Sequence, residues 1–386
     1  MTPKSTQLAA TNPAPYTPGM TALPSLAANQ RRAEVAGAGF AGLAAATALA
    51  QSGWQVRVHE ADKQPRSAGA GIYVHPFAQD VLREIGAYRR VAAHAFAPTG
   101  RHIHVDGIRR SITQIEGQVL TTTRARLHAA LLATARAAGV EIATSSQVTN
   151  ATPEGALTLE DGTHLQADLV IAADGVRATL AQRAGFPLHR RRHDDGITRI
   201  LFDRADLQAP EWNAVHDFYD YRHRPLRILY TPCSPTEFYF CLMAPAEDLQ
   251  AATVPIDVPL WSRSFPAFAP TLSRIGALGR HDRYTTTTMP HWSKNRLAVI
   301  GDAAHAMPSA LGQGAGVSML NAVNLARSVA ATPHIPTALA HWEATSRPIV
   351  ERWQRDAEAV AAGRSLVGAI HPGEDFATER RVAGAA

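Results

Sequence analysis

Cysteine is scarce: the 386-residue chain has two, Cys233 and Cys241. Two thiols cannot build a disulfide framework, and their spacing matches no common zinc pattern. Buried thiols in a reducing compartment are expected, and no metal site is assigned. No apolar run is long enough to span a bilayer, and the N-terminus lacks the apolar core of a signal peptide. These absences lead us to expect a soluble, cytoplasmic protein with no membrane partner. There is no internal repeat. No charge block dominates either: the net charge is +5, the basic residues are scattered, and the one tight cluster is His189-Arg190-Arg191-Arg192-His193. Without an aromatic-rich nucleic-acid motif beside it, that cluster reads as a solvated turn, and no nucleic-acid partner is expected. The excess positive charge points instead to anionic small molecules.

What is present is a globular composition, 46% hydrophobic and 18% charged, long enough for one large or two medium domains. Residues 1–30, rich in Ala, Thr, Pro and Ser, read as a mobile extension. From Arg32 short apolar strands alternate with Ala-rich helices. Strands are expected at 35–37, 55–59, 141–144 and 169–173, and helices at 40–52, 78–85 and 124–138. This is a βαβ pattern with a parallel sheet. Near residue 190 the composition shifts to alternating, aromatic-rich stretches such as 227–231 and 237–241, which read as a mixed or antiparallel sheet. An apolar strand returns at 296–301, with a helix from about Gly314 and a final helical pattern over 337–361. The expected fold is α/β. A Rossmann-like domain over 31–190 and 291–335 is interrupted by a β-rich substrate domain over 191–290. A helical segment and tail over 336–386 end the chain.

Three motifs carry the chemistry. Gly37-Ala38-Gly39-Phe40-Ala41-Gly42 fits G-x-G-x-x-G. Its first glycine permits a tight turn, its second lets a pyrophosphate approach the backbone, and its third lets helix and strand pack closely. N–H groups at the helix N-terminus then receive phosphate. Glu60, 18 residues past Gly42, can accept from ribose hydroxyls. The strand before the turn, Arg32-Ala-Glu-Val-Ala36, is poorly apolar. The second motif, Ala167 to Ala173 followed by Asp174-Gly175, would in isolation read as a buried strand ending in a turn. The third is more specific. Arg296-Leu-Ala-Val-Ile-Gly301-Asp302 delivers an acidic residue at a strand end, and Leu311-Gly312-Gln313-Gly314-Ala315-Gly316 then opens a helix.

In this order the motifs resemble the para-hydroxybenzoate hydroxylase family, the single-component flavin aromatic hydroxylases. Gly69-Ala-Gly71-Ile72, Arg124 opening a helix, and Glu343 with Arg347-Pro348 extend the likeness over residues 32–365. The resemblance implies FAD as cofactor, NADH or NADPH as cosubstrate, and an aromatic ring attacking a flavin C4a-hydroperoxide. It places Gly37, Gly39, Phe40, Ala41, Gly42 and Glu60 on the ADP half. Arg66, Gly71 and Arg124 would lie toward the flavin, with Asp174 supporting FAD and the nicotinamide nucleotide. Asp302 would meet the ribityl chain, and Gly312, Gly314, Ala315 and Gly316 the isoalloxazine. Asn321, Phe77 and Ala178 depart from residues frequent in the family.

Such chemistry needs a base or proton relay and a dry pocket. Tyr73 is the first candidate, followed by Tyr230 and His216. His75, Tyr219 and Tyr221 are further possibilities, and His216 and Arg222 could hold an anionic substituent. His305 is read as structural. The expected substrate is a small electron-rich aromatic or heteroaromatic ring. A larger natural product is the alternative, and a non-catalytic flavin-binding redox protein a more distant one. A monomer or homodimer is expected.

Overall fold

The computed structural model describes residues 31–365, apart from 66–69, 116–117, 206 and 246. The proposed N-terminal extension, Arg66 and Gly69 therefore lie outside the described residues. The first layer is a six-stranded sheet in the order Ser293–Lys294, Leu297–Val299, Leu169–Ala172, Arg32–Ala36, Gln55–His59, Glu141–Ala143. All its pairs are parallel except that of the short Ser293–Lys294 strand. The Ala-rich helix Phe40–Gln51 packs against the long helix Gly314–Ala331. Beyond Phe40 at its start, only Leu43 and Leu49 are large apolar side chains, and its small residues allow close approach to its neighbours.

The central strand Arg32–Ala36 looks poor as sequence because Glu34 sits in its middle, fully buried. Its carboxylate takes hydrogen bonds from Arg32 Nε (2.6 Å) and lies 2.8 Å from His59 Nε2 on the next strand. His59 Nδ1 lies 2.8 Å from Ser146 Oγ. A buried carboxylate costs little when its oxygens are satisfied this way, so the strand tolerates what its hydropathy argues against.

The second layer is a seven-stranded sheet in the order Arg280–Thr288, His189–Asp203, Glu237–Pro245, Leu226–Pro232, Val215–Asp220, Arg101–Val105, Ile108–Thr113. Its last two strands come from residues assigned by sequence to the nucleotide domain. The Arg101–Val105 strand pairs in parallel with Val215–Asp220, so the hairpin belongs to the second sheet. One face carries an aromatic core with Phe238, Phe240, Trp261 and Phe268; the other looks toward the nucleotide layer. A short ribbon, Gly71–Val74 with Leu120–Thr123, lies between them.

The C-terminal helix runs Ile335–Ser365. Arg347 donates to Met289 O (2.7 Å) and Glu343 (2.6 Å), and Glu343 accepts from Ser293 N–H and Oγ. These bonds hold the helix on the first sheet. No described helix is long and apolar enough to cross a membrane.

Candidate active site

The glycine turn is the fixed point of the site. Gly37 has φ of 109°, and a Cβ there would lie 2.3 Å from Ala173 O. A Cβ on Gly42 would lie 2.0 Å from Gly37 O. Gly39 differs, since a Cβ there meets nothing within 4 Å. The first and third glycines therefore serve packing, while the second fronts open space at the N-terminus of Phe40–Gln51. No side chain caps that helix, so its first N–H groups remain available to an anion. Glu60 is held beside the turn by the N–H groups of Ala38 and Asp62, each at 3.1 Å.

All three motifs converge here. Ala173, just before Asp174, backs Gly37, and a Cβ on Gly301 would lie 2.8 Å from Ala41 Cβ. Asp174 Oδ2 accepts from the N–H groups of Thr179 and Leu180, while buried Oδ1 has no partner. Burial raises the Asp174 carboxyl, those backbone donors opposing it. Asp302 is exposed. Arg124 opens its helix after Thr123, whose side chain accepts from Arg126 N–H. The Arg124 guanidinium lies 4.7 Å from the Phe40 ring centroid, a cation–π arrangement. Burial lowers its pKa and the charge of Asp302 opposes this.

The glycine-rich loop passes close to Tyr73. Gly312 has φ of 66°, and a Cβ there would come within 3.3 Å of the Tyr73 ring. A Cβ on Gly316 would come 2.9 Å from Phe77 Cζ, and Phe77 packs on Trp353. Gly314 and Ala315 open an 18-residue helix with no side-chain cap, and buried Gln313 Oε1 beside it has no partner. The open surface over Gly39, uncapped N–H groups on two helices and orphaned buried oxygens at Asp174 and Gln313 fit a dinucleotide lying along this line. Asn321 Oδ1 lies 3.2 Å from His305 Nε2, and burial keeps the His305 pKa down.

Opposite the loop, the second sheet presents residues that sequence reasoning passed over. Tyr73 OH lies 2.5 Å from Thr231 Oγ1, and its ring stacks on His75 with centroids 5.9 Å apart. Burial pushes the Tyr73 phenol well above its usual value, which favours the neutral hydroxyl. Burial, aided by the charge of Arg101, pushes His75 down to about 4. Asp217 is fully buried and bound by Arg227 through Nε and Nη2 (both 2.6 Å) and by Arg101 Nη2 (2.5 Å). Burial alone would raise the Asp217 carboxyl, but the two guanidinium charges outweigh it and hold it far below the carboxylate range. Tyr219 OH donates to the same carboxylate at 3.2 Å. Arg101, Arg227 and Asp217 lie on the sheet face that also carries Thr231. Arg199 reaches the loop itself, donating to Ser309 Oγ (3.1 Å) and to Asp282 (2.8 Å). The readable signal was Arg227 inside the mostly apolar strand Leu226–Pro232; Asp217 sits in a strand with other polar residues and carried no such signal.

Three candidates are not brought to this place. Tyr230 and His216 face the other side of the sheet from Thr231 and Asp217, their immediate chain neighbours. Tyr230 is fully buried against Phe238 and Phe240 and donates to Trp212 O at 3.0 Å. Arg222 is mostly exposed, 3.8 Å from Asp106.

The pattern of the FAD-binding domain family matches residues 32–355. The chain is similar to 2-heptyl-3-hydroxy-4(1H)-quinolone synthase of Mycobacteroides abscessus, 37% identical over 351 residues, 88% of this chain and 91% of that protein. It is 28% identical over 318 residues to 6-hydroxynicotinate 3-monooxygenase of Pseudomonas fluorescens, 77% of this chain and 82% of the relative. The solved tetrameric form of 2-methyl-3-hydroxypyridine-5-carboxylic acid oxygenase superposes with a TM-score of 0.84 at 40% identity, covering 88% of this chain and 93% of that one. The converging glycine turn, Gly301-Asp302 and Gly312–Gly316 loop thus belong to a member of the FAD-binding family of aromatic-hydroxylase-type flavin monooxygenases, an enzyme using FAD and NAD(P)H.

Proposed function

We propose that this monooxygenase hydroxylates a hydroxyl- or oxo-substituted nitrogen heteroaromatic ring of the pyridine or quinolone class. The observation that carries the reading is the position of Tyr73, between Gly312 of the flavin loop and Thr231 of the second sheet. FAD, reduced by NAD(P)H, supplies the activation of molecular oxygen. The chain's part is to orient the ring, exclude water and manage a proton.

A ring hydroxyl or oxo group meeting the Tyr73–Thr231 pair would be oriented by hydrogen bonds from neutral donors. A proton leaving that hydroxyl would pass along Tyr73 OH and Thr231 Oγ1. The guanidinium groups of Arg101 and Arg227 beside Asp217 favour the deprotonated, more nucleophilic ring and any anionic substituent. Electron-rich heterocycles whose OH ionises easily suit such a site. The names of the relatives, which refer to a hydroxyquinolone, a hydroxynicotinate and a hydroxypyridine carboxylate, support the same class. The Gly314 helix N-terminus, the Asp302 carboxylate and Arg124 are assigned to the flavin and its ribityl chain.

The test is a panel of hydroxypyridines, hydroxyquinolones and benzenoid phenols, scored by stimulated NADH or NADPH oxidation and product mass. Hydroxylation confined to benzenoid phenols would overturn the heterocycle reading. Turnover of alkylquinolones but no monocyclic ring would move it to the larger natural-product alternative.

A further inference from the structure

The face of the second sheet turned away from Tyr73 holds three histidines that the monooxygenase chemistry does not use. His102 and His104 alternate along one strand, and His216 is the register partner of His102 on the next. All three rings therefore stand on one side of the sheet. One ring nitrogen from each lies within 4.8 Å of the other two. His104 Nε2 and His216 Nδ1 are 3.2 Å apart. Two nitrogens bound to one zinc at about 2.0–2.1 Å in tetrahedral geometry are separated by roughly 3.3 Å.

The rings are also prepared as ligands. His216 Nε2 lies 2.7 Å from Glu211 O. A carbonyl only accepts, so Nε2 carries the proton and Nδ1 presents a lone pair, the arrangement typical of a metal-bound histidine. His102 Nδ1 is buried with no hydrogen-bond partner. Apolar walls surround the group: the Phe218 ring stacks 4.3 Å from His104, and Trp212 lies 4.9 Å from His216. His102 and His104 are half-buried while His216 is 4% exposed, leaving a solvent-side position for a water. Arg109, across from His104, works against a dication, and the exposed Glu211 carboxylate works for it.

The geometry points to a divalent transition-metal site formed by His102, His104 and His216, suited to zinc or a neighbouring late first-row ion, with one position open to water. Three imidazoles are the donor set such ions select over magnesium or calcium. The ion would join the edge hairpin containing Arg101–Val105 to the body of the sheet, which makes it a fastening remote from oxygen transfer.

The test uses FAD-loaded enzyme without a histidine tag, stripped with chelator and titrated with Zn2+ and then Co2+. One ion per chain is expected, with a Co2+ ligand-field spectrum of a nitrogen-rich, low-coordinate site and a higher melting temperature with Zn2+. His102→Ala removes a ligand whose Nδ1 makes no hydrogen bond, and His104→Gln keeps a donor toward His216. Each should weaken zinc binding at least about 100-fold while FAD content stays at the wild-type level. Failure of the wild type to bind a stoichiometric ion, or binding unchanged in both variants, overturns the proposal.

Discussion

Tyr73 OH and Thr231 Oγ1, 158 residues apart in the chain, meet at 2.5 Å. The bond ties the ribbon strand Gly71–Val74 to the second sheet, and the Tyr73 ring sits against Gly312. Tyr73→Phe keeps the ring and removes the hydroxyl. FAD content should stay unchanged and stability should fall by about 1 kcal/mol. Hydroxylated product per NAD(P)H should drop roughly tenfold or more, with hydrogen peroxide making up the difference. Wild-type coupling in the variant would reduce Tyr73 to a packing residue.

The glycine turn separates two roles that a single motif conceals. Gly37→Ala forces a side chain onto Ala173 O at φ of 109°; a loss of at least about 2 kcal/mol and failure to hold FAD are expected. Gly39→Ala meets no protein atom within 4 Å. Its folding stability should change by less than about 1 kcal/mol, while FAD affinity falls because the methyl occupies the pyrophosphate's approach. Unfolding and flavin titration on both variants check this; equal damage to folding by the two would refute the division.

Asp217 is the hub of the buried charges. Asp217→Asn leaves Arg101 and Arg227 facing a neutral group, and a loss of about 3–5 kcal/mol is expected by analogy with broken buried ion pairs. Denaturant midpoints of wild type and variant measure it. A change below about 1 kcal/mol would mean the cluster reorganises freely.

Acid should weaken the fold before carboxylates titrate. His75 is depressed from 6.5 to about 4 in the folded protein. A depressed histidine contributes stability that is present above its unfolded value and is lost as pH falls toward the folded value. Between roughly pH 7 and pH 5 this one residue should cost about 2 kcal/mol. His75→Gln should lose correspondingly less over that window, as read by urea midpoints at the two pH values. Parallel pH profiles for both proteins would rule out His75 as the source.

The nucleotide layer was legible because glycines and strand-end acids answer to backbone geometry, which local sequence records. Strand 55–59 and the helix from Gly314 emerge where the pattern places them. The substrate layer was legible as strands but not as faces. Tyr230 and Thr231 differ by one position, and nothing local tells which of them turns toward Tyr73. The hairpin 101–113 was missed because its partner strand lies more than 100 residues away. The polar strand Arg32–Ala36 was under-read because Glu34 is satisfied by His59, a partner visible only once the strands pair. The histidines at 102, 104 and 216 had no readable spacing for the same reason.

The second sheet carries two chemistries on alternate residues, charge and hydroxyls at 217, 227 and 231, and imidazoles and aromatics at 216, 218 and 230. Point substitution can alter either set without touching the other. A one-residue insertion or deletion within Val215–Asp220 or Leu226–Pro232 would exchange them, sending Tyr230 toward the flavin side and Thr231 into the aromatic core. Descendants of this enzyme can therefore explore new rings by side-chain replacement, while changes of chain length are confined to turns such as 221–225 and 233–236.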